Sequence, residues 1–434
     1  MAEIHPFRGV RYNQGRVKDL AEVICPPYDI ITPQLQQELY HRSAYNFVRL
    51  EFGRESPQDT PADNRYTRSA AVMKQWLEQG VLAADRTPAI YLHDHYFQYG
   101  GKDYRRRGAV AAVRLEEWDR KIVRPHEGTL AEHRTDRLSL LWALQANTSP
   151  ILALFDDGGQ VSSLLAAVAQ GQPVISFADG ERHKVWAITE PETIEKLSAS
   201  FIRQPLYIAD GHHRYESALT YQRERRACLP SVSGEEGFNF VMMTLVDLAD
   251  PGLLILPPHR LVRGLSRAVL SRLPAGLRSF FEVEELPLST PGVWQRVDGL
   301  LGGGERDEVR LVVFGATEGS LLLLRLRDPA AASELMPSFH SELYKKLNVS
   351  VLDHVILEKL LGMAGGEEAS LGYTYSREDA VNKVLEQEYQ LAFLLSPVGP
   401  EVIKAIADAG DRMPRKSTYF YPKTPAGLVL HRLI

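Results

Sequence analysis

The chain contains only two cysteines, Cys25 and Cys228, far apart and outside any CxxC pair. A disulfide framework and a cysteine-based zinc site are thereby excluded, and a reducing compartment fits best. Long hydrophobic runs are also missing. The SLLLLRLRD stretch at 320–328 is strand-sized, well short of the ~20 residues that span a bilayer. The N-terminal MAEIHPFRGVRYNQG meets charge and proline before any apolar segment, so no signal peptide is expected and the protein is expected to be cytoplasmic. Excess positive charge is absent: 50 Lys and Arg against 55 Asp and Glu give a net charge of -5. That balance argues against a surface built to hold a nucleic-acid backbone, although it leaves room for a local basic patch.

Several catalytic signatures are lacking too. There is no GxxxxGK[ST], no strand-linked GxGxxG and no GxSxG. HEGTLAEH is not HExxH, because five residues separate Glu127 from His133. The glycine-rich GLLGGGERDE around 299–308 lacks the strand and helix that would make it a phosphate loop. No internal repeat or low-complexity tract is visible.

What is present is an ordinary globular composition, 44% hydrophobic and 24% charged over 434 residues, enough for two or three cores. Three regions separate by pattern. Residues 1–150 are rich in short polar motifs and are expected to contribute to a site. Residues 151–255 alternate strand and helix, and 256–434 read as an α/β scaffold whose last segment is again motif-like and returns to the site. AIYLHDHYFQYGGKDYRRRGAVAAVRLE predicts a hairpin around Gly100 and Gly101. RLVVFGATEGSLLLLRL predicts a second hairpin. Capping patterns place helix starts at Thr189 with Glu192, at Ser350 with Asp353, and at Ser376 with Asp379. The first of these helices is expected to run to about Arg203.

The densest polar cluster is LYIADGHHRYESAL at 206–219. Its pattern is a buried strand ending at Asp210, a turn on Gly211 and an immediate helix with Tyr215, Ala218, Leu219 and Gln222 on its apolar face. The first-turn N–H groups of such a helix lack intrahelical acceptors and favour anions. Gly211 permits close approach of backbone to a ligand, and His212, His213 and Arg214 add donors. A metal reading ranks third, since adjacent helical residues point about 100° apart and rarely chelate one ion together. Reading Asp210 as a plain helix cap explains the Asp and Gly but not the two His and the Arg. A phosphate or anion site explains all five.

YIADGHHRYESAL resembles the signature of the DUF1015 family. CPPYDII, YNFVRLE, PHEGT, DRLSLLWALQANTSPILALF, LPPHRLV and MPRKSTYFYPKTPAGLV resemble the family's other blocks, in order, over essentially the whole chain. The DGHHR core is similar to the glycine-plus-arginine box of the ParB/sulfiredoxin-like fold, whose backbone and basic residues hold nucleotide phosphates. Free serine kinases of that superfamily use a closely similar motif to phosphorylate L-serine. The resemblance implies a mixed α/β (α+β) fold with a ParB/sulfiredoxin-like core at 151–255. It also implies phosphoryl transfer between serine and phosphoserine, with ATP or ADP and Mg²⁺ carried by the nucleotide.

Phosphoryl transfer requires a positioned carboxylate, and spacing does not identify the kinases' glutamate here. Glu127, beside His126 and Thr129, is one candidate, with an exposed loop residue as its alternative. Asp29, stiffened by the preceding Pro-Pro, is another, with an Asx-turn as its alternative. Asp210 is the third. Arg137, Lys416 and Ser417 are candidate substrate contacts, with His126 and Thr129. Arg415, Thr418, His259 and Arg260 sit in similar motif-like segments. For Lys416 and its neighbours the alternative is an ordinary edge strand with solvated charges. His93 and His95 share one face of a strand, a pattern that suits a metal pair, but without an evident third ligand a packed or surface-exposed pair is expected there. The rival reading of the chain is a ParB-like nucleotide-dependent binding module without metabolic activity.

Overall fold

The computed structural model describes residues 2–156, 158–202, 204–302, 308–363 and 368–434. Residues 303–307 of the glycine-rich run at 299–308 therefore lie outside the described residues, as does Arg203. The fold is mixed α/β and divides into two compact units. The first comprises Met1–Pro125, Thr129–Leu254 and Pro422–Ile434; the second comprises His126–Gly128 and Ile255–Tyr421.

The first unit is built on a nine-stranded mixed sheet among the described residues. Its path runs Val123–Arg124, Leu206–Asp210, Ile151–Phe155, Phe240–Asp247, Lys102–Arg114, Ile90–Tyr99, Glu181–Ile188 and Ile175–Asp179, with Ile4–His5 paired beside Lys102–Arg114. Two neighbouring pairs are parallel and the rest antiparallel. Strands from both sides of residue 150 thus share one sheet. The predicted hairpin forms at 90–114, with Gly100 and Gly101 in its turn.

Alternate residues of the central strands feed two cores, one on each face. Tyr91, Val110, Ala112, Val185 and Met242 enter one, while Leu92, Ala109, Ala111, Trp186 and Met243 enter the other. Burial on both faces explains the unbroken apolar reading of GAVAAV. It also demands small residues: a Cβ on Gly108 would lie 2.6 Å from the Thr244 Cγ2 on the next strand. The helix His212–Ala227 packs Tyr215, Ala218 and Leu219 on the second core and buries Gln222, as the 3.6-residue spacing predicts, and Tyr221 joins them.

The second unit carries a six-stranded antiparallel sheet among its described residues. The order is Phe281–Pro287, Ser320–Leu326, Arg310–Thr317, Leu391–Leu394, His259–Val262 and Leu371–Thr374. Its core gathers Leu261, Val297, Val312, Leu323, Val381 and Leu394.

Of the three predicted helix starts, Ser376 caps as expected, accepting from the Asp379 amide. The other two are corrected. The helix expected at Thr189 begins at Pro191, whose fixed φ suits the first helical position, and Glu190 at the cap makes no side-chain bond. The helix expected at Ser350 begins at Asn348, placing Ser350 inside it, and Asp353 turns inward toward Arg260 at 3.8 Å. Among the described residues no helix is long and apolar enough to cross a membrane.

Candidate functional site

The strand Leu206–Asp210 is buried along its length until Asp210. Its register against Ile151–Phe155 shifts between Ile208 and Asp210, re-aiming the last residue. The chain then turns on Gly211 at φ 97°, a conformation that favours glycine. A Cβ there would also lie 2.9 Å from the Nε of Arg214. Gly211, not Asp210, occupies the cap of the helix His212–Ala227, and no side chain caps that terminus. The capping explanation of Asp210 is therefore overturned.

Asp210 instead lies between two cations. Its Oδ2 accepts from Arg214 NH2 at 2.6 Å, and its Oδ1 pairs with Lys423 Nζ. Burial alone would raise its carboxyl pKa, but Lys423 first and Arg214 second hold it well below the usual carboxylate range. Lys423 Nζ also lies 3.4 Å from Asp29 Oδ2, so one ammonium bridges both carboxylates. Asp29 sits on the short turn Tyr28–Ile30, which follows Pro26 and Pro27. Arg214 donates through NH1 to the Pro150 carbonyl at 2.5 Å and to Ser149 Oγ at 3.2 Å. Its buried Nε has no hydrogen-bond partner among the described residues.

Behind this corner lies a layer of buried polar groups. The Arg137 guanidinium stacks 3.9 Å over the Tyr28 ring, donates to the Glu51 carbonyl at 3.1 Å and pairs with Asp136 at 2.6 Å. Ser149 Oγ donates to Glu51 Oε1 at 3.0 Å. Arg137 therefore braces the floor under Tyr28 and Asp29. Burial raises the Tyr28 phenol well above its ordinary value.

His213 Nε2 accepts the Leu130 amide at 2.9 Å, and Thr129 Oγ1 donates to Glu216 Oε2 at 2.5 Å. These bonds dock the start of the helix Ala131–Leu144 against the start of His212–Ala227. Burial first, then the neighbouring His133, push His213 down to about 4, so it is neutral near pH 7. His212 is buried.

The remaining predicted residues belong to the second unit. Glu127 Oε1 accepts the Lys416 amide at 2.7 Å, and His126 Nε2 lies 3.1 Å from Thr418 Oγ1. Ser417 Oγ donates to the Pro414 carbonyl. Lys416 adopts φ 54°, and its ammonium lies 4.4 Å from the Tyr373 ring centroid. Arg260, fully buried, holds this loop by donating to the Lys416 carbonyl at 2.9 Å and the Pro258 carbonyl at 2.8 Å. His259 Nδ1 accepts the Leu395 amide at 3.1 Å. The segment is thus a pinned loop rather than an edge strand; the strand begins at Tyr419.

Asp29, Thr129, Arg137, Asp210, Gly211, His212, His213 and Arg214 accordingly fall in the first unit, and His126, Glu127, Lys416 and Ser417 in the second. Lys423 was missed. Its signal was proximity, since it lies in the same MPRKSTYFYPKTPAGLV block as Lys416, between two prolines. Tyr28, adjacent to Asp29 in CPPYDII, was missed as well.

A family model described as "Protein of unknown function (DUF1015)" matches residues 4–353. No curated protein matches the sequence. Among solved structures, a conserved hypothetical protein from Pyrococcus furiosus is similar at 15% identity and a TM-score of 0.36, over 75% of this chain and 97% of its own. A structure titled free serine kinase in complex with AMP is similar at 15% identity and a TM-score of 0.34, over 74% of this chain and 92% of its own. SbnI with a C-terminal truncation, from Staphylococcus aureus, is similar at 10% identity and a TM-score of 0.34, over 73% and 84%. At these TM-scores the likenesses carry no argument for an activity.

Proposed function

The chain belongs to the DUF1015 family, and from that premise we propose that it is a small-molecule phosphotransferase with its phosphate site at Asp210–Arg214. The acceptor is an alcohol, and the sharpest form of the proposal is serine and phosphoserine exchanging a phosphoryl group with a nucleotide. The observation that carries it is Lys423, which bridges Asp29 and Asp210 beside a helix N-terminus that no side chain caps.

The residues of this corner fit a phosphate group. A glycine at φ 97° opens the backbone, and the buried Nε of Arg214 has no hydrogen-bond partner among the described residues. The first-turn amides supply donors and the positive end of the helix dipole. A bound nucleotide would supply the transferable phosphoryl group, and any Mg²⁺ would arrive with it. Lys423 would then exchange part of its contact with Asp210 for phosphate oxygens. Arg214, already held by Asp210, Ser149 and Pro150, is preorganised for that charge and needs little reordering. Asp29, the more exposed of the two bridged carboxylates, is the proposed base that orients the acceptor hydroxyl and takes its proton. Tyr28 and Arg137 fix its position. The resemblance of DGHHR to the serine-kinase motif supports the same assignment of Gly211, His212, His213 and Arg214.

Purified protein incubated with ATP or ADP, pyrophosphate, serine and phosphoserine, and followed by ³¹P NMR, tests the proposal. Transfer between a phosphate donor and serine is expected. No exchange in any combination, together with salt-sensitive retention of DNA at low ionic strength, would replace it with the binding-module reading.

A further inference from the structure

The sequence offers His93 and His95 on one strand face with no third ligand, but the sheet supplies one. The strand Ile90–Tyr99 pairs antiparallel with Glu181–Ile188, placing His183 directly opposite His95 and Val185 opposite His93. Residues two apart share a face. His93 and His95 therefore meet His183 and Glu181 on the same side of the sheet. One donor atom from each of His95, Glu181 and His183 falls within 4.8 Å of the others. His95 Nε2 lies 2.5 Å from Glu181 Oε2, and His93 Nε2 lies 3.1 Å from His183 Nδ1. The three imidazoles are buried, whereas the Glu181 side chain is 31% exposed and forms the solvent edge of the cluster.

We propose that His95, His183 and Glu181 form a binding site for one divalent first-row transition-metal ion of the Zn²⁺ type, with His93 as a positioning residue. Two imidazoles and one carboxylate are a common donor set for such ions, and donors at about 2.0–2.2 Å from a shared centre would close the present gaps. His93 supplies the outer contact that metal-binding histidines usually have. A proton on His183 Nδ1, donated to His93 Nε2, leaves the Nε2 lone pair of His183 for the metal.

Arg106 sets the cost of the site. Its NH2 lies 3.3 Å from His95 Nδ1 and 2.8 Å from the Pro422 carbonyl. A guanidinium donates only, so in the metal-free protein His95 accepts at Nδ1 and donates from Nε2 to Glu181. Loading through Nε2 requires the ring proton to move from Nε2 to Nδ1, where it would face the Arg106 donor, so Arg106 must give up its contact with His95 while keeping those to Pro422 and Thr424. Metal affinity is therefore reduced by Arg106 and increased by its removal, a dependence that a merely packed histidine cluster would not show.

The test uses the full chain, freed of any affinity tag, stripped with a chelator and titrated with Co²⁺ and then Zn²⁺. Wild type is expected to take up one equivalent of Co²⁺ with visible ligand-field bands that Zn²⁺ displaces. Glu181→Gln and His183→Asn should each weaken Co²⁺ binding by about tenfold to hundredfold or more, and Arg106→Gln should strengthen it. Glu181 is partly exposed, so Glu181→Gln, with circular dichroism to confirm its fold, decides the matter if a core variant fails to fold. Absence of stoichiometric Co²⁺ uptake by wild type, or unchanged uptake by folded Glu181→Gln, would overturn the proposal.

Discussion

Replacing Lys423 by Met removes the ammonium that Asp29 and Asp210 share while preserving most of its bulk. Lys423 is 10% exposed, Asp210 19% and Arg214 12%, so the charges are weakly screened. Breaking a buried pair by removing one partner typically costs about 3–5 kcal/mol, because the other charge is stranded. Arg214 stays 2.6 Å from Asp210, which should limit the loss to about 2 kcal/mol at pH 7. The sign with pH follows from the depressed Asp210 pKa. That depression stabilises the fold above the unfolded carboxyl pKa of about 3.9 and is lost as pH falls through the lower, folded value. Without Lys423 the depression shrinks, so the gap between wild type and Lys423→Met should stay full from pH 7 down to about pH 4 and close only as pH falls further, toward the folded value. Guanidinium unfolding at about pH 7 and about pH 2 measures it. Asp210→Asn combined with Lys423→Met should be less destabilised than the two separate losses predict, closing a coupling cycle. A loss at pH 7 below about 0.5 kcal/mol, or one equally large at both pH values, would refute the reasoning.

Further expectations follow from individual contacts. Gly211→Ala forces a side chain onto φ 97° and against Arg214, so thermal unfolding should show a loss of about 1–3 kcal/mol. His213→Gln keeps an acceptor for the Leu130 amide but removes a group held to about 4 by burial. As pH falls from about 6.5 toward 4 the His213 imidazole should cost wild type up to about 1.4 kcal/mol per unit, so the pH slope of stability should be shallower in the variant by up to that amount. Glu127→Ala strips the Lys416 amide of its acceptor and should cost about 1 kcal/mol by chemical denaturation, while Glu127→Gln should cost much less.

Much of the architecture is legible in the residues because local and tertiary preferences agree there. The Gly100-Gly101 hairpin, the Ser376 cap and the apolar face of the 212–227 helix each follow from spacing alone. Thr189 and Ser350 mislead because Pro191 and the entry at Leu347 set the starts, and a capping pattern recurs by chance in polar helix ends. The turn at Gly211 is readable, whereas the role of Asp210 is not. Its partner Lys423 lies 213 residues away in sequence, and only tertiary packing reveals that Asp29 shares it. The same limit hid His183 and Glu181 from His93 and His95, since antiparallel register between strands some 90 residues apart leaves no local trace.

The central claim is that Asp29, placed by Lys423 beside the Gly211 corner, serves transfer of a phosphoryl group to a small alcohol. Isotope exchange between labelled phosphoserine and unlabelled serine in the presence of nucleotide, compared for wild type and Asp29→Asn, tests it most directly. Wild type should catalyse exchange, and the folded variant should lose about 100-fold or more of it. Equal exchange by both proteins, or none by wild type, would contradict it.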